Sequence, residues 1–231
     1  MRIIFVRHGE PDYAHDCLTE EGRRQAAAAA ERLAGEGISE IYASPCGRAS
    51  ETASYTAARL GLPVTTLDYM REISWGGFGI AHNGHPWTLG DRMLEDGFDF
   101  SAQDWRQHQF FNGNVATEDY EEIAEKFDAF LAAHGYRHEG RRFRCEGGGE
   151  KTIALFSHGG SGACVLAHLL NLPFPYVASV MPYDFTSIII LDFPVKEGAY
   201  VFPRLELFND CAHIHPRQGR PMIQQEVDEK K

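Results

Sequence analysis

The stretch at residues 3–11, IIFVRHGEP, runs four apolar residues straight into Arg7, His8 and Gly9. A short unbroken apolar run reads as a strand buried on both faces, the kind that fills parallel sheets. Its abrupt end in a cation, an imidazole and a glycine has one counterpart in the chain. Residues 151–160, KTIALFSHGG, form a second buried strand that ends in His158, Gly159 and Gly160. In open α/β sheets, ligands bind at the carboxyl ends of strands, where the strand order reverses. Two strands that each deliver a His-Gly corner to that edge can direct both imidazoles into one crevice.

The rest of the chain fits such a sheet. Thr19 can cap a helix that carries Glu20 and Glu21 in its first turn and Ala26, Ala29, Ala30 and Leu33 on one face. Residues 38–44 read as a second strand. Ser44 and Pro45 then read as N-cap and first residue of a helix with Ala49, Thr52, Ala53, Thr56 and Leu60 on its apolar face, closed by Gly61. Residues 63–68 read as a third strand. This alternation predicts an α/β fold, a three-layer α/β/α sandwich with a mostly parallel central sheet. The pattern breaks at residues 73–118, which hold all three tryptophans and read as an inserted lid with short helices. A helix with Tyr120, Ile123, Ala124, Phe127 and Leu131 on one face follows, and then a hairpin or loop excursion at 137–150. Residues 184–193 and 200–208 read as a final strand pair about a KEG turn. The expected organisation is a single domain over 1–216 and a polar tail over 217–231.

With 231 residues, the chain suits one sizeable domain. Its net charge of −11 argues against a broad nucleic-acid surface, so any anionic ligand must be met by a local cationic cluster. Screening over about 8 Å in physiological salt makes that feasible. Five cysteines stand singly with no C-x-x-C pair, which fits a reduced thiol set better than a disulfide framework or zinc knuckle. The first strand begins at Arg2, leaving no room for a signal peptide, and no apolar run approaches the ~20 residues of a membrane helix. The expectation is a cytoplasmic protein with no membrane and no nucleic-acid partner.

The strand ends supply more than histidines. The second places Arg48 in the first turn of its helix, and the third is followed by Glu72. Each of these residues has an ordinary structural reading when taken singly: a solvated helix arginine, a surface glutamate, a histidine that ends a strand. Their joint placement with Arg7, His8 and His158 points to chemistry instead. Guanidinium groups match phosphate oxygens bidentately. A neutral imidazole, with an ordinary pKa of ~6.5, is a competent nucleophile near neutrality. Helix starts after the two His-Gly corners add partial positive charge. A carboxylic acid is then needed to protonate a leaving alkoxide.

RHGEP, LTEEGRRQA at 18–26, YASPCGRASETA at 42–53, Glu72, SHGG and FNDCAHI near the end together resemble the histidine phosphatase superfamily, in its phosphoglycerate mutase-like branch. The resemblance spans most of the chain outside the lid, the 137–150 excursion and the tail. It implies a three-layer α/β/α fold and a metal-independent reaction through phosphohistidine, with no cofactor and a small-molecule phosphate ester as substrate. Arg7, Arg48 and His158 would bind the phosphoryl group, His8 would be phosphorylated, and Glu72 would donate the proton. Gly9, Gly159 and Trp75 would complete the substrate site. Two departures stand out. Many members carry an Asn in the loop after R-H-G-E, where this chain has Pro11, Asp12 and Tyr13. The usual Trp-Glu-Gly after the acid is here Trp75, Gly76 and Gly77, so Glu72 rests on spacing, with Glu10 as the alternative.

Mutase members usually carry His-Gly-Asn where this chain has His158, Gly159 and Gly160, which resembles the phosphatases. No mutase-like run of basic and tyrosine residues follows Glu72. The expected activity is therefore phosphatase, with a phosphoglycerate mutase-type phosphotransferase or a low-turnover phosphate binder as alternatives. A metal hydrolase is weaker still: His213 and His215, and His82 and His85, have ligand-like spacing, but no Asp, Glu and His cluster surrounds either pair in the sequence. Cys164 reads as a small core residue. Trp75, Trp87 and Phe78 are candidates for the pocket wall, in a lid that is otherwise partly core.

Overall fold

The computed structural model describes residues 1–76 and 86–214. The elements run β1 (Arg2–Arg7), β2 (Pro11–Asp12), β3 (Cys17–Leu18), α1 (Glu20–Leu33), β4 (Glu40–Ala43), α2 (Gly47–Leu60) and β5 (Val64–Thr66). They continue with α3 (Pro86–Glu95), α4 (Val115–Ala133), β6 (Tyr136–Glu139), β7 (Arg142–Cys145), β8 (Thr152–Ser157) and α5 (Gly159–Leu170). The last are α6 (Phe174–Val180), β9 (Ile188–Asp192), β10 (Tyr200–Val201) and β11 (Arg204–Asp210).

The main sheet has six strands in the order β11-β9-β1-β8-β4-β5. β1, β8, β4 and β5 are mutually parallel; β9 runs antiparallel to β1, and the edge strand β11 antiparallel to β9. Alternation along β1 divides the core. Ile3 and Phe5 pack with Phe127 and Leu131 of α4 and Leu166 of α5. Ile4 and Val6 pack with Leu33 of α1 and Ala53 of α2. All four β1 side chains are fully buried, each stabilising the fold by about 1.5–3 kcal/mol. The result is the expected three-layer sandwich.

Several boundaries differ from the sequence reading, each for a physical reason. α2 starts at Gly47 with Cys46 as N-cap, because the Ser44 hydroxyl is engaged elsewhere. The lid gives way to α4 already at Val115, where the Asn114 side chain caps the helix by accepting from Ala116 N–H. Its interior is largely core: Ile73, Leu89, Met93, Trp105, Phe110 and Phe111 are buried in one cluster with α4 and α5. The excursion forms a hairpin of β6 and β7. The expected pairing of 184–193 with 200–208 holds for β9 and β11, which pair antiparallel from Arg204 opposite Asp192, but not for the ends of the two ranges. β10 joins β7 in a separate three-stranded sheet, and only β11 pairs with β9. Residues 184–187 form a turn instead, with Thr186 at φ +53° donating its backbone N–H to Arg7 and His8 carbonyls. The tail at 217–231, His82, His85, Phe78 and His215 lie outside the described residues.

Candidate active site

Register builds the site. Arg7 pairs with Ser157 in the parallel β1–β8 ladder, so the next residues, His8 and His158, emerge side by side at the carboxyl edge. Their ring centroids lie 5.1 Å apart, and both residues are almost wholly buried. β4 flanks β8 on the other side, and its extension carries Ser44, whose N–H donates to the Phe156 carbonyl.

His8 has a defined tautomer. Nδ1 lies 2.7 Å from the Gly9 carbonyl oxygen, which can only accept, so Nδ1 carries the proton. That leaves a lone pair on Nε2, which receives Arg48 Nε–H at 3.4 Å. Burial and the charges of Arg7 and the neighbouring His158, then Arg48, hold the imidazole well below its ordinary pKa of 6.5, against the pull of the Gly9 carbonyl. His158 is pushed down to about 3 by burial, Arg48 and Arg7, with Asp16 opposing. Both rings are therefore neutral near pH 7.

Ser44 explains how His158 is held. Its hydroxyl lies 2.7 Å from His158 Nε2 and also accepts Cys46 N–H. The Ser44 hydroxyl can donate to Nε2 or accept from it; in the arrangement where it donates, the ring proton sits on Nδ1. That nitrogen is buried with no hydrogen-bond partner among the described residues. In that tautomer it is a donor available to an anion.

The guanidinium groups are positioned by contacts that the sequence did not disclose. Arg7 donates from Nη1 to the Tyr183 carbonyl at 2.8 Å and stacks 4.3 Å above the Phe185 ring. Arg48 donates from Nη1 to Asp16 at 2.6 Å, while the other Asp16 oxygen accepts Gly47 N–H at 2.7 Å. Partial burial raises the Asp16 carboxyl, but these bonds outweigh it and hold the group below its ordinary value.

Glu72 reaches the same corner. Its Oε1 accepts the N–H groups of Gly160 and Ser161, at 3.0 and 3.1 Å, in the first turn of α5. A Cβ at Gly160 would lie 2.5 Å from that oxygen and 2.4 Å from Ile73, so a larger residue there must displace one of these side chains. Burial raises the Glu72 pKa above its ordinary 4.5, outweighing Arg7, the backbone donors and Arg48. The alternative acid, Glu10, is occupied: it accepts the Thr19 hydroxyl at 2.7 Å, beside the start of α1.

Gly9 gives its N–H to Thr52 at 3.0 Å and its carbonyl to His8. A Cβ there would lie 2.6 Å from the Gly22 carbonyl of α1, so the loop can approach the helix only as glycine. Trp87 lies against Gly159, where a Cβ would meet its ring at 3.0 Å, and Trp75 packs edge-on against Trp87 at 6.4 Å. The structure thus gathers Arg7, His8, Arg48, Glu72, His158 and Gly159 at one edge, with Trp75 and Trp87 beside them. His213 Nε2 lies 3.0 Å from the Thr186 hydroxyl.

Paired neutral imidazoles, two guanidiniums and a carboxyl with a raised pKa, all at one sheet edge, are the equipment of a phosphoryl-transfer enzyme. The chain belongs to the histidine phosphatase superfamily (branch 1), whose family model matches residues 3–204. It is 29% identical over 191 residues to the probable phosphoglycerate mutase GpmB of Yersinia enterocolitica, covering 75% of this chain and 76% of that protein. Solved structures share the fold. A mutant phosphoserine phosphatase of Entamoeba histolytica in complex with phosphoserine superposes with a TM-score of 0.63 at 22% identity, covering 93% of this chain and 99% of that one. The α-ribazole phosphatase of Shigella flexneri gives 0.60 at 23% identity, covering 91% and 97%. No helix among the described residues is long and apolar enough to cross a membrane.

Proposed function

We propose that the protein is a metal-independent phosphatase that hydrolyses a small-molecule phosphate monoester through a phosphohistidine on His8, with no cofactor. The observation that carries this reading is the fixed tautomer of His8, with its Nε2 lone pair presented beside Arg48 in a pocket where both histidines are neutral. Nε2 attacks phosphorus while the bond to the ester oxygen breaks, and protonated Glu72 gives its proton to the departing alkoxide. The Glu72 carboxylate then takes a proton from water as that water attacks phosphorus, the P–N bond breaks, and orthophosphate leaves. Arg7, Arg48 and the Nδ1–H of His158 stabilise the equatorial oxygens in both steps. Gly159 leaves room for the ligand, and Trp75 and Trp87 form an apolar wall. The five free cysteines support a reducing compartment such as the cytoplasm.

A mutase is the second reading, favoured by the naming of the curated relatives. Charge favours hydrolysis. A mutase must hold a further anionic group of its substrate while it reorients. Here Asp16 already neutralises part of Arg48. The basic residues of the described lid, Arg92 and Arg106, lie over Phe110 and on Asp104 and Trp105. The cationic capacity fits one phosphoryl group.

A panel of phosphate monoesters, assayed in excess chelator, tests the proposal. The expected result is release of orthophosphate from at least one alkyl ester, undiminished by chelator. Phosphoryl exchange between positions of phosphoglycerate without net release would establish the mutase reading. Loss of all turnover in chelator would overturn metal independence.

Arg48 provides a second check. Arg48→Ala is expected to lower kcat/KM by roughly 10²-fold, and Arg48→Lys to recover little of it, because a lysine cannot present two parallel donors. A lysine variant within threefold of the parent enzyme would remove Arg48 from the phosphoryl-binding set.

A further inference from the structure

A second cluster lies away from the pocket. Asp128 of α4, His138 of β6 and His168 of α5 converge, with one ligand atom from each within 4.8 Å of the others. His138 Nδ1 is 3.0 and 3.1 Å from the two Asp128 oxygens, and His168 Nε2 is 2.7 Å from Oδ1. His168 stands ten positions along α5 from His158, about 15 Å away at helical rise. The histidine side chains are 14% exposed and Asp128 is 32% exposed. His138 is fixed by stacking on Phe143 at 4.5 Å and by edge contact with His168 at 4.8 Å.

We propose that Asp128, His138 and His168 bind a divalent transition metal, with Zn²⁺ as the best-matched ion. Two imidazoles and one carboxylate form a borderline donor set, which suits zinc and its neighbours and not the all-oxygen preference of Ca²⁺ or Mg²⁺. The exposed side of Asp128 admits a water as fourth ligand. Ligand atoms around a tetrahedral zinc with bonds of about 2.0–2.1 Å stand roughly 3.3 Å apart. The Asp128–histidine spacings of 2.7 to 3.1 Å need to open by about half an ångström or less, and the two ligating nitrogens stand within 4.8 Å of one another. Each histidine meets the same carboxylate through one nitrogen, so a single cation between them takes the place of two shared protons. Binding moves the His138 proton from Nδ1 to Nε2, which is buried and unpartnered among the described residues. That weakens binding roughly 10- to 100-fold, so the expected affinity is micromolar. The ion would join the hairpin of β6 and β7 to α4 and α5. Its ligands lie ten and thirty positions apart in the sequence, which is why no motif announces them.

The test uses the full chain, stripped with chelator and titrated with Zn²⁺ by calorimetry, with Co²⁺ absorption as a second readout. The expected result is one ion per chain at micromolar Kd, a Co²⁺ spectrum of four-coordinate type, and no response to Mg²⁺ or Ca²⁺. At a hundredfold excess over Kd, Tm should rise by roughly 5–10 °C. His168→Gln and Asp128→Asn should each weaken binding at least about tenfold, while His8→Ala binds as the parent does. Absence of heat and of a Co²⁺ band in the parent protein would overturn the proposal and leave a hydrogen-bonded clasp. So would unchanged binding in both ligand variants, or its loss in His8→Ala.

Discussion

His8→Ala is expected to lower kcat/KM by at least about 10³-fold on every ester the protein turns over, since in the proposed mechanism it removes the covalent nucleophile and with it the reaction path. The pocket gives no substitute. His158 is buried, neutral and held at Nε2 by Ser44. Rapid quench in alkali after brief exposure to labelled substrate should trap one phosphoryl group on His8. Base-labile, acid-stable label, or label that persists in the alanine variant, would place the intermediate elsewhere.

Glu72→Gln separates proton donation from every other role of the residue. An alkyl phosphate leaves as a strongly basic alkoxide, whereas p-nitrophenyl phosphate leaves as a stable phenolate. The glutamine keeps an oxygen for the backbone donors of Gly160 and Ser161 but supplies no useful proton. The expected loss is about 10²-fold or more on alkyl esters and much less on the nitrophenyl ester. Because burial raises the Glu72 pKa above 4.5, activity on alkyl esters should fall as pH rises past the raised value. In the glutamine variant that fall should vanish. The folded state holds its extra proton only below the raised pKa, so this contribution to stability is lost as pH rises through it. Glu72→Gln should therefore keep or gain stability at pH 8 while losing activity. Equal losses on both esters would show that Glu72 orients the site and donates nothing.

The sequence made the strand-end residues legible because buried strands and the glycines after them leave local signals. Arg7, His8, His158 and the start of α5 could be found by pattern alone. What holds those residues in place could not. Ser44 looked like a helix cap, and its hydroxyl goes to His158 because β4 and β8 are neighbours, a fact of topology. Asp16 has no motif at all, being a loop residue at φ +48° that meets Arg48 only when the chain folds back. Phe185 read as part of a strand, and the turn at Thr186 places it under Arg7. The split between β10 and β11 was equally hidden, since the choice of partner depends on the hairpin of β6 and β7.

The β1–β8 ladder has a consequence for how the enzyme comes into being. Arg2 lies opposite Thr152, so the two strands that form the pocket are separated by most of the chain. Contacts between such distant segments are among the slowest to form, because a long loop must close before any pairing is gained. During synthesis β1 is made before β8 and lacks its parallel partner until β8 has emerged. A chain stalled or cut before residue 152 carries Arg7, His8, Arg48 and Glu72 but lacks His158 and the strand that pairs with β1. Assembly of the pocket thus reports that β1 and β8 have met.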